Sequence, residues 1–269
     1  MARGSLKNVA RLLAEANKEV PVEQSFLSDL KRSIELTDLA NARVPSQTYK
    51  PSGMNCMRQN YYQIKGYEIK SKDSNSCLVG ICESGTDRHE RIQKAVASMK
   101  DNDIDCEYVD VASYVRTHEL DDIEIISQQG METKLYHKKY NISFLCDGII
   151  KYKNKYYILE IKTESSYKFM NRSYVDTSHF NQAITYSLAL HIDNVLFVYE
   201  NRDICEKKAF MFNVSNAMRQ ELVEYIETCD TYINNNQVPP KPADVARKTC
   251  TYCPYKNYCD CEVDNDNKD

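Results

Sequence analysis

The stretch that decides the fold runs from Cys146 to Lys162 and reads CDGIIKYKNKYYILEIK. Two apolar runs, at 148–150 and 156–161, flank a polar centre at Lys153-Asn154. Short β-rich runs separated by two turn-forming residues predict a β-hairpin that turns at this dipeptide. Because the apolar residues do not alternate strictly with polar ones, the two strands are predicted to be buried on both faces.

The register of this hairpin places three charged residues together. If Tyr152 pairs with Lys155, then Asp147 lies directly across from Glu160, with side chains about 5 Å apart on one face. Lys162 follows Glu160 by two residues, and alternation along a strand returns it to the same face. The sequence therefore predicts two carboxylates and a lysine in one cluster.

Two neighbouring carboxylates repel each other unless a cation lies between them, and Mg²⁺ prefers oxygen ligands. A bound metal lowers the pKa of a coordinated water and neutralises phosphoryl charge, which is the chemistry of a metal-dependent phosphodiesterase. The same residues also fit an ordinary exposed hairpin whose charged side chains face water. Burial of the strands counts against that alternative, because buried strands rarely carry unpaired charges.

Asp147 and Glu160-Ile161-Lys162 resemble the motif of the PD-(D/E)xK nuclease superfamily. The segment 85–93, GTDRHERIQ, resembles the first motif of its RecB-like branch, and 180–186, FNQAITY, resembles the downstream Q-x3-Y motif. The resemblance implies a metal bound by His89, Asp147, Glu160 and the backbone carbonyl of Ile161. It also implies a catalytic set of Asp147, Glu160, Lys162, Gln182 and Tyr186.

Cysteine spacing near the C-terminus gives a second signal. Cys250, Cys253 and Cys259 form a C-x2-C-x5-C pattern, with Cys261 close behind, and Cys56 stands far upstream. The pattern resembles the AddB-type nuclease domain and the CRISPR-adaptation exonuclease family. In these, such a quartet (here Cys56, Cys250, Cys253 and Cys259) binds a [4Fe-4S] cluster. Tetrathiolate ligation also suits zinc, which remains the alternative. We expect the cluster to act as a structural clamp.

The net charge of −4 does not by itself indicate a DNA-binding protein, but residues 134–172 hold nine basic residues against three acids. A basic rim around an acidic centre suits a phosphate backbone, and nearby aromatic residues suit stacking on unpaired bases. The alternative is a solvated lysine face. The predicted DNA contacts are Lys151, Lys153, Lys168 and Arg172. The predicted stacking residues are Tyr167, Phe169 and Tyr174.

The order of elements predicts an α/β fold: a restriction-endonuclease-like core with a central mixed β-sheet flanked by helices, plus the C-terminal cysteine clamp. We expect a helical N-terminal extension at 1–50, the nuclease domain at 51–262 and an acidic tail at 263–269. Helices are predicted at 5–18 and 23–40 in the extension.

These features predict a DNA exonuclease that uses Mg²⁺ or Mn²⁺ in recombination, replication or end processing. It would be of phage or CRISPR-adaptation type, with the helical extension favouring the former. DNA, single-stranded or with free ends, is the expected partner. No phosphate-binding loop is present, so a helicase or recombination protein would be a separate partner. No apolar run reaches membrane length, and we expect a cytoplasmic protein of a bacterium or a phage-infected cell. The alternative is a catalytically inactive iron–sulfur DNA-binding or scaffold protein of the same fold.

Overall fold

A computed structural model of the chain describes residues 21–41, 45–69, 75–241, 250 and 253–259. The chain forms two compact units, one made of Met1–Arg43 with Asp73–Cys82 and the other of Val44–Lys72 with Glu83–Asp269. The predicted helix at 5–18, Cys261 and the acidic tail lie outside the described residues. The predicted domain boundaries stay predictions.

The larger unit is built on a five-stranded sheet in the order β1-β5-β6-β7-β8. Strands β6 and β7 are parallel and every other pair is antiparallel, so the sheet is mixed. Its strands are β1 Cys106–Val109, β5 Gly148–Tyr152, β6 Lys155–Glu164, β7 Asn194–Asn201 and β8 Lys207–Asn213.

A second, antiparallel sheet of three strands was not predicted as a separate sheet. It consists of β2 Ile123–Gln129, β3 Glu132–His137 and β4 Ile142–Cys146, in that order. A single residue, Asp147, separates β4 of this sheet from β5 of the larger one. The chain therefore changes sheets at the first carboxylate of the predicted site.

Helices complete the α/β architecture, which confirms the predicted fold class of a mixed sheet flanked by helices. Ser215 caps the last helix by accepting a hydrogen bond from the Met218 amide at 3.2 Å. Helix α1 belongs to the smaller unit and buries none of its residues. The helices are α1 Val22–Ala40, α2 Met57–Ile64, α3 Ser76–Ala97, α4 Val111–Thr117, α5 Ser166–Met170, α6 Phe180–Leu190 and α7 Asn216–Asn234.

The hairpin formed by β5 and β6 turns where the sequence predicted. Lys153 and Asn154 both have positive φ, 49° and 62°, which is the backbone of a type I′ turn. Tyr152 pairs with Lys155 and the ladder continues down to Gly148. The predicted register is thereby confirmed.

The core lies against both faces of the larger sheet. Ile149, Ile158 and Phe197 are fully buried in the main cluster, whereas Ile161 and Leu159 belong to a smaller one that packs with Ile92 of α3. Burial on both faces holds the central strand β6 rigid, which fixes the positions of the charged residues it carries. Within the described part of the chain, every helix is too short or too polar to span a lipid bilayer.

Candidate functional site

Asp147 is 7% exposed and lies at the junction of the two sheets. Its Oδ2 accepts a hydrogen bond of 2.7 Å from the backbone amide of Ile161 on β6. This bond is made across the hairpin predicted from the sequence. It fixes the orientation of the carboxylate and leaves Oδ1 directed elsewhere.

The backbone of Asp147 is held from two sides. Its carbonyl oxygen accepts hydrogen bonds from the Gln93 side chain at 2.6 Å and from the Tyr108 hydroxyl at 2.9 Å. The Tyr108 ring packs so closely that a Cβ placed on Gly148 would lie 2.6 Å from it. Gly148 therefore allows the close approach that lets Tyr108 reach Asp147.

His89 and Glu132 complete a group around Asp147. Ligand atoms of the three residues all lie within 4.8 Å of one another, and His89 Nδ1 lies 3.4 Å from Asp147 Oδ1. Burial lowers the pKa of His89, but the hydrogen bond and charge of Asp147 outweigh it, so the net pKa is raised. Burial and the charge of Asp147 raise the pKa of Glu132. The charge of Asp147 therefore raises the pKa of both His89 and Glu132.

Glu160 is 2% exposed, and its Oε2 has no hydrogen-bond partner among the described residues. Its Oε1 has two partners: the Lys162 ammonium contacts it, and the Gln182 side-chain amide donates a hydrogen bond of 2.7 Å to it. Burial raises the pKa of Glu160 to about 7, with Lys162 opposing the shift and Asp147 adding to it. A buried carboxylate oxygen without a partner is costly unless a proton or a cation satisfies it.

Gln182 and Tyr186 lie one turn apart on α6, as the i,i+4 spacing predicted. The Gln182 amide lies 2.8 Å from the Tyr186 hydroxyl, which donates to the Leu145 carbonyl at 3.0 Å. Gln182 Oε1 also accepts from Lys162 at 3.1 Å. These two residues therefore orient Glu160 and Lys162 and tie them to the end of β4.

The structure brings together all the predicted charged residues of the site, but in two adjoining groups. The Ile161 amide contacts Asp147, and the predicted role of its carbonyl as a metal ligand stays a prediction. Glu132 was missed by the sequence analysis, although a signal existed. Pairing of Thr133 with Cys146 in the β3–β4 hairpin, continued by one residue, sets Glu132 opposite Asp147.

The predicted DNA contacts lie in different environments. Lys153 is at the hairpin tip, six residues from Asp147, or about 20 Å along an extended strand. Lys151 lies on the same arm, over the Tyr156 ring. Lys168 is exposed on α5, close in sequence to Lys162.

The guanidinium of Arg172, a predicted DNA contact, is held by contacts inside the protein. It donates to both carboxylate oxygens of Glu164 at 2.7 and 2.8 Å, reaches Asp176 at 3.3 Å and stacks on the Tyr199 ring. Its side chain is only 10% exposed. These internal contacts leave little of the guanidinium exposed to a phosphate, and a DNA contact by Arg172 stays a prediction.

Phe169, predicted as a stacking residue, is also buried, with 2% exposure. The Lys208 ammonium covers its ring at 4.7 Å. The flanking Tyr167 and Tyr174 remain exposed. Phe169 is the buried residue of α5, whereas Tyr167 lies on its exposed side and Tyr174 follows the helix.

Among the described residues, the four predicted cluster cysteines form no disulfide. Burial raises the pKa of Cys253, and the thiols of Cys56, Cys259 and Cys250 add to the shift. Cys56 precedes α2 as its N-cap residue. These four sulfurs are not a group of ligand atoms within 4.8 Å; among the described residues that spacing is met by His89, Glu132 and Asp147.

A tyrosine cluster holds the two cysteine segments together. The ring of Tyr62 lies 6.0 Å from that of Tyr255 and 5.8 Å from that of Tyr258. The Tyr258 hydroxyl also donates to the Glu68 carbonyl at 3.0 Å. The C-terminal segment is therefore attached to α2 by aromatic packing as well as by any group the thiols bind.

A scan against protein-family models and a search of curated proteins each find no match. Among solved structures, the crystal structure of SSO0001 is similar over 88% of this chain and 98% of its own, at 15% identity and a TM-score of 0.47. LHK-Exo in complex with dAMP has a TM-score of 0.43, 12% identity and coverage of 71% of this chain and 90% of its own.

The alkaline exonuclease LHK-Exo from Laribacter hongkongensis, in a further crystal structure, gives a TM-score of 0.42 at 11% identity, with the same coverage of 71% and 90%. Similarities at this level carry no conclusion about the activity of this chain.

Proposed function

We propose that this chain is a divalent-metal-dependent deoxyribonuclease that acts on free DNA ends. The observation that carries the proposal is the pairing of two features in one place. His89, Glu132 and Asp147 bring three ligand atoms within 4.8 Å, and the adjoining Glu160 has a buried oxygen without a partner. A lysine contacts that same carboxylate.

The donor set fits a hard divalent cation. One imidazole nitrogen and carboxylate oxygens suit Mg²⁺ or Mn²⁺, whereas no thiol belongs to this group. We assign His89, Glu132 and Asp147 as the residues that would hold the ion, with Glu160 beside them. The Ile161 carbonyl stays a prediction from the family resemblance. When bound, the cation would lower the pKa of a coordinated water and neutralise charge on the phosphate.

The side chains of this chain then supply orientation and charge. In phosphodiester hydrolysis the water oxygen forms a bond to phosphorus, the bond from phosphorus to the sugar oxygen breaks, and a proton passes from the water to the leaving oxygen. The Lys162 ammonium, held by Glu160 and Gln182, is positioned to orient the water and to offset transition-state charge. Tyr186 fixes Gln182, so its effect on the reaction is indirect.

DNA as the substrate, and cutting from ends, follow from the family resemblance and from the basic rim. Lys168 is exposed on the helix that follows β6, whereas Lys151 and Lys153 lie on the β5–β6 hairpin, so the three would meet a DNA strand at different places. A separate helicase or recombination protein as partner, and a phage or CRISPR-adaptation role, stay proposals of the same kind.

The cysteine quartet is proposed to bind a [4Fe-4S] cluster, with zinc as the alternative. Support comes from the electrostatic contact of Cys253 with the three other thiols and from packing of the two segments that carry them. In an anaerobic preparation we expect iron and sulfide in equal amounts and a brown colour. A colourless preparation that contains zinc would overturn the iron assignment. We expect Cys253→Ala to lower stability while leaving His89 and Glu132 able to bind Mn²⁺.

The nuclease proposal is tested with anaerobically purified full-length protein, Mn²⁺ or Mg²⁺, and end-labelled linear DNA beside a closed circle of single-stranded DNA. We expect digestion of the linear substrate only, and its loss in Asp147→Ala. Asp121→Ala, a change of an exposed acid in a turn outside the candidate site, is the matched control and should retain cleavage. Cleavage of the circular DNA would contradict the exonuclease proposal and indicate an endonuclease. Absence of all cleavage, with DNA binding intact, would favour the non-catalytic scaffold.

A further inference from the structure

The segment that follows β6 exposes apolar side chains beside the candidate site. Tyr167 is 81% exposed, Met170 68% and Tyr174 49%. Lys168, also exposed, lies between the first two in sequence. We call these four residues the tyrosine surface. Large apolar side chains exposed within one short stretch of chain are candidates for a surface that binds another molecule.

The backbone under this surface is fixed by internal polar contacts. The Arg172 guanidinium binds Glu164 through two hydrogen bonds of 2.7 and 2.8 Å. The Lys208 ammonium donates to the carbonyls of Phe169 at 2.7 Å and Arg172 at 3.1 Å. The exposed rings therefore lie on a backbone segment that is ordered before a ligand binds, which lowers the entropic cost of binding.

The segment that follows the tyrosine surface in the chain is connected to the catalytic strand through Tyr199. Lys162 pairs with Tyr199 in the parallel ladder, and the Tyr199 hydroxyl accepts from the Asp176 amide at 3.2 Å. The same hydroxyl lies 3.0 Å from His179 Nδ1. Burial lowers the pKa of His179 to about 4, and the positive charges of Lys162, Arg172 and Lys168 act in the same direction.

The chemistry of the surface fits unpaired nucleobases. Aromatic rings stack on the faces of bases, which are covered by neighbouring pairs inside a duplex, and a lysine meets the phosphate between them. Two nearby carboxylates, Glu164 and Asp176, are tied to Arg172 and so present less repulsion to phosphate. A purely apolar protein partner would gain nothing from the cation.

We propose that Tyr167 and Tyr174 stack on unpaired bases of a DNA strand, with Lys168 on its phosphates and the strand directed toward Lys162. The proposal rests on DNA being the substrate, as argued above. It assigns base recognition to shape and π-stacking, without base-specific hydrogen bonds, so discrimination is between unpaired and paired DNA and not between sequences.

Binding to fluorescent oligothymidine, and to an oligomer of the same length with abasic sites, tests this proposal. Ca²⁺ in place of Mg²⁺ would limit cleavage during the measurement. We expect the wild type to bind oligothymidine about tenfold more tightly than the abasic oligomer, since stacking contributes at this level per base. Tyr167→Ala and Tyr174→Ala should lose this preference. Tyr167→Phe, which keeps the ring, is the matched control and should retain it.

Equal affinity of the wild type for the two oligomers would overturn the proposal, as would an unchanged preference in both alanine variants. A blunt duplex should bind equally well to wild type and to Tyr167→Ala; an equal loss on duplex would also contradict the assignment to unpaired bases. Cleavage is measured separately on the same preparations. A protein that shows the base preference but does not cleave DNA would contradict the proposed nuclease and support the stacking role of the tyrosine surface. A protein that cleaves DNA without the base preference would support the nuclease and contradict the stacking role.

Discussion

The backbone amide of Ile161 donates a 2.7 Å hydrogen bond to the carboxylate of Asp147. The bond joins the first residue after β4 to the central strand of the larger sheet. Since it uses Oδ2, the other oxygen of Asp147 is free to face His89, 3.4 Å away. One main-chain donor thus sets the geometry of the candidate metal group.

Replacing Asp147 by Asn should remove the charge while keeping an oxygen that can accept from Ile161. We expect Mn²⁺ affinity to fall by about 100-fold or more, because a ligand charge is lost, with little change in fold. Calorimetric titration with Mn²⁺ measures the affinity, and circular dichroism checks the fold. Asp121→Asn, an exposed acid in a turn, is the control. Equal Mn²⁺ affinity in Asp147→Asn and wild type would show that the ion binds elsewhere.

The raised pKa of Glu160, about 7, predicts a pH dependence of stability without metal. The folded state binds a proton more tightly than the unfolded state, where a glutamate titrates near 4.3. Unfolding free energy should therefore decrease as pH rises from about 4.5 to 7, by on the order of 1–3 kcal/mol. Glu160→Gln, which is neutral throughout, should lack this decrease.

The measurement is thermal unfolding of both proteins in a chelator across that pH range. Only the difference between the two curves reports on Glu160, because other groups titrate in both. Parallel curves would contradict the raised pKa. Added Mn²⁺ should stabilise the wild type more at pH 8 than at pH 6, since binding requires the carboxylate form.

Gly148→Ala should destabilise the protein because its new Cβ would lie 2.6 Å from the Tyr108 ring. Overpacking of this kind costs about 1–3 kcal/mol. Tyr108→Ala removes the ring, so adding Gly148→Ala to that background should cost much less. Chemical denaturation of the four proteins gives the coupling between the two positions. Strictly additive effects would mean that the ring does not limit the residue at 148.

Glu200 is fully buried and is contacted by Arg88 at 2.9 Å, Arg91 at 2.6 Å and Lys207 at 3.1 Å. The two arginines flank His89 on α3. Glu200→Gln should destabilise the protein by about 1–3 kcal/mol. This is less than the cost of breaking a fully buried ion pair, because the cations remain partly hydrated. We expect Mn²⁺ affinity to fall as well, since α3 is held less firmly.

Lys207→Met is the control for Glu200→Gln, because it removes one partner without touching α3. Denaturation and Mn²⁺ titration on both variants separate the two effects. If Glu200→Gln lowered stability and left Mn²⁺ affinity unchanged, the ion-pair network would be structural and without influence on His89.

Much of the larger sheet could be predicted from local patterns. The turn at Lys153-Asn154 and the register of the hairpin follow from turn chemistry and the strand period, which depend on residues close in sequence. The separate three-stranded sheet was missed. Its strands carry the same β signals as the others, and which strands share a sheet depends on contacts distant in sequence.

The sequence by itself determined that Asp147, Glu160 and Lys162 come together, because the period of a strand and the length of a two-residue turn leave little freedom. Tertiary structure alone decided that Glu132 joins Asp147, that Arg172 is used inside the protein and that Phe169 is buried. Each of these depends on a partner that another segment provides. Whether a charged side chain binds a metal, holds a metal ligand in place or faces solvent depends on which side chains the folded chain places next to it. Amino-acid composition does not contain that information.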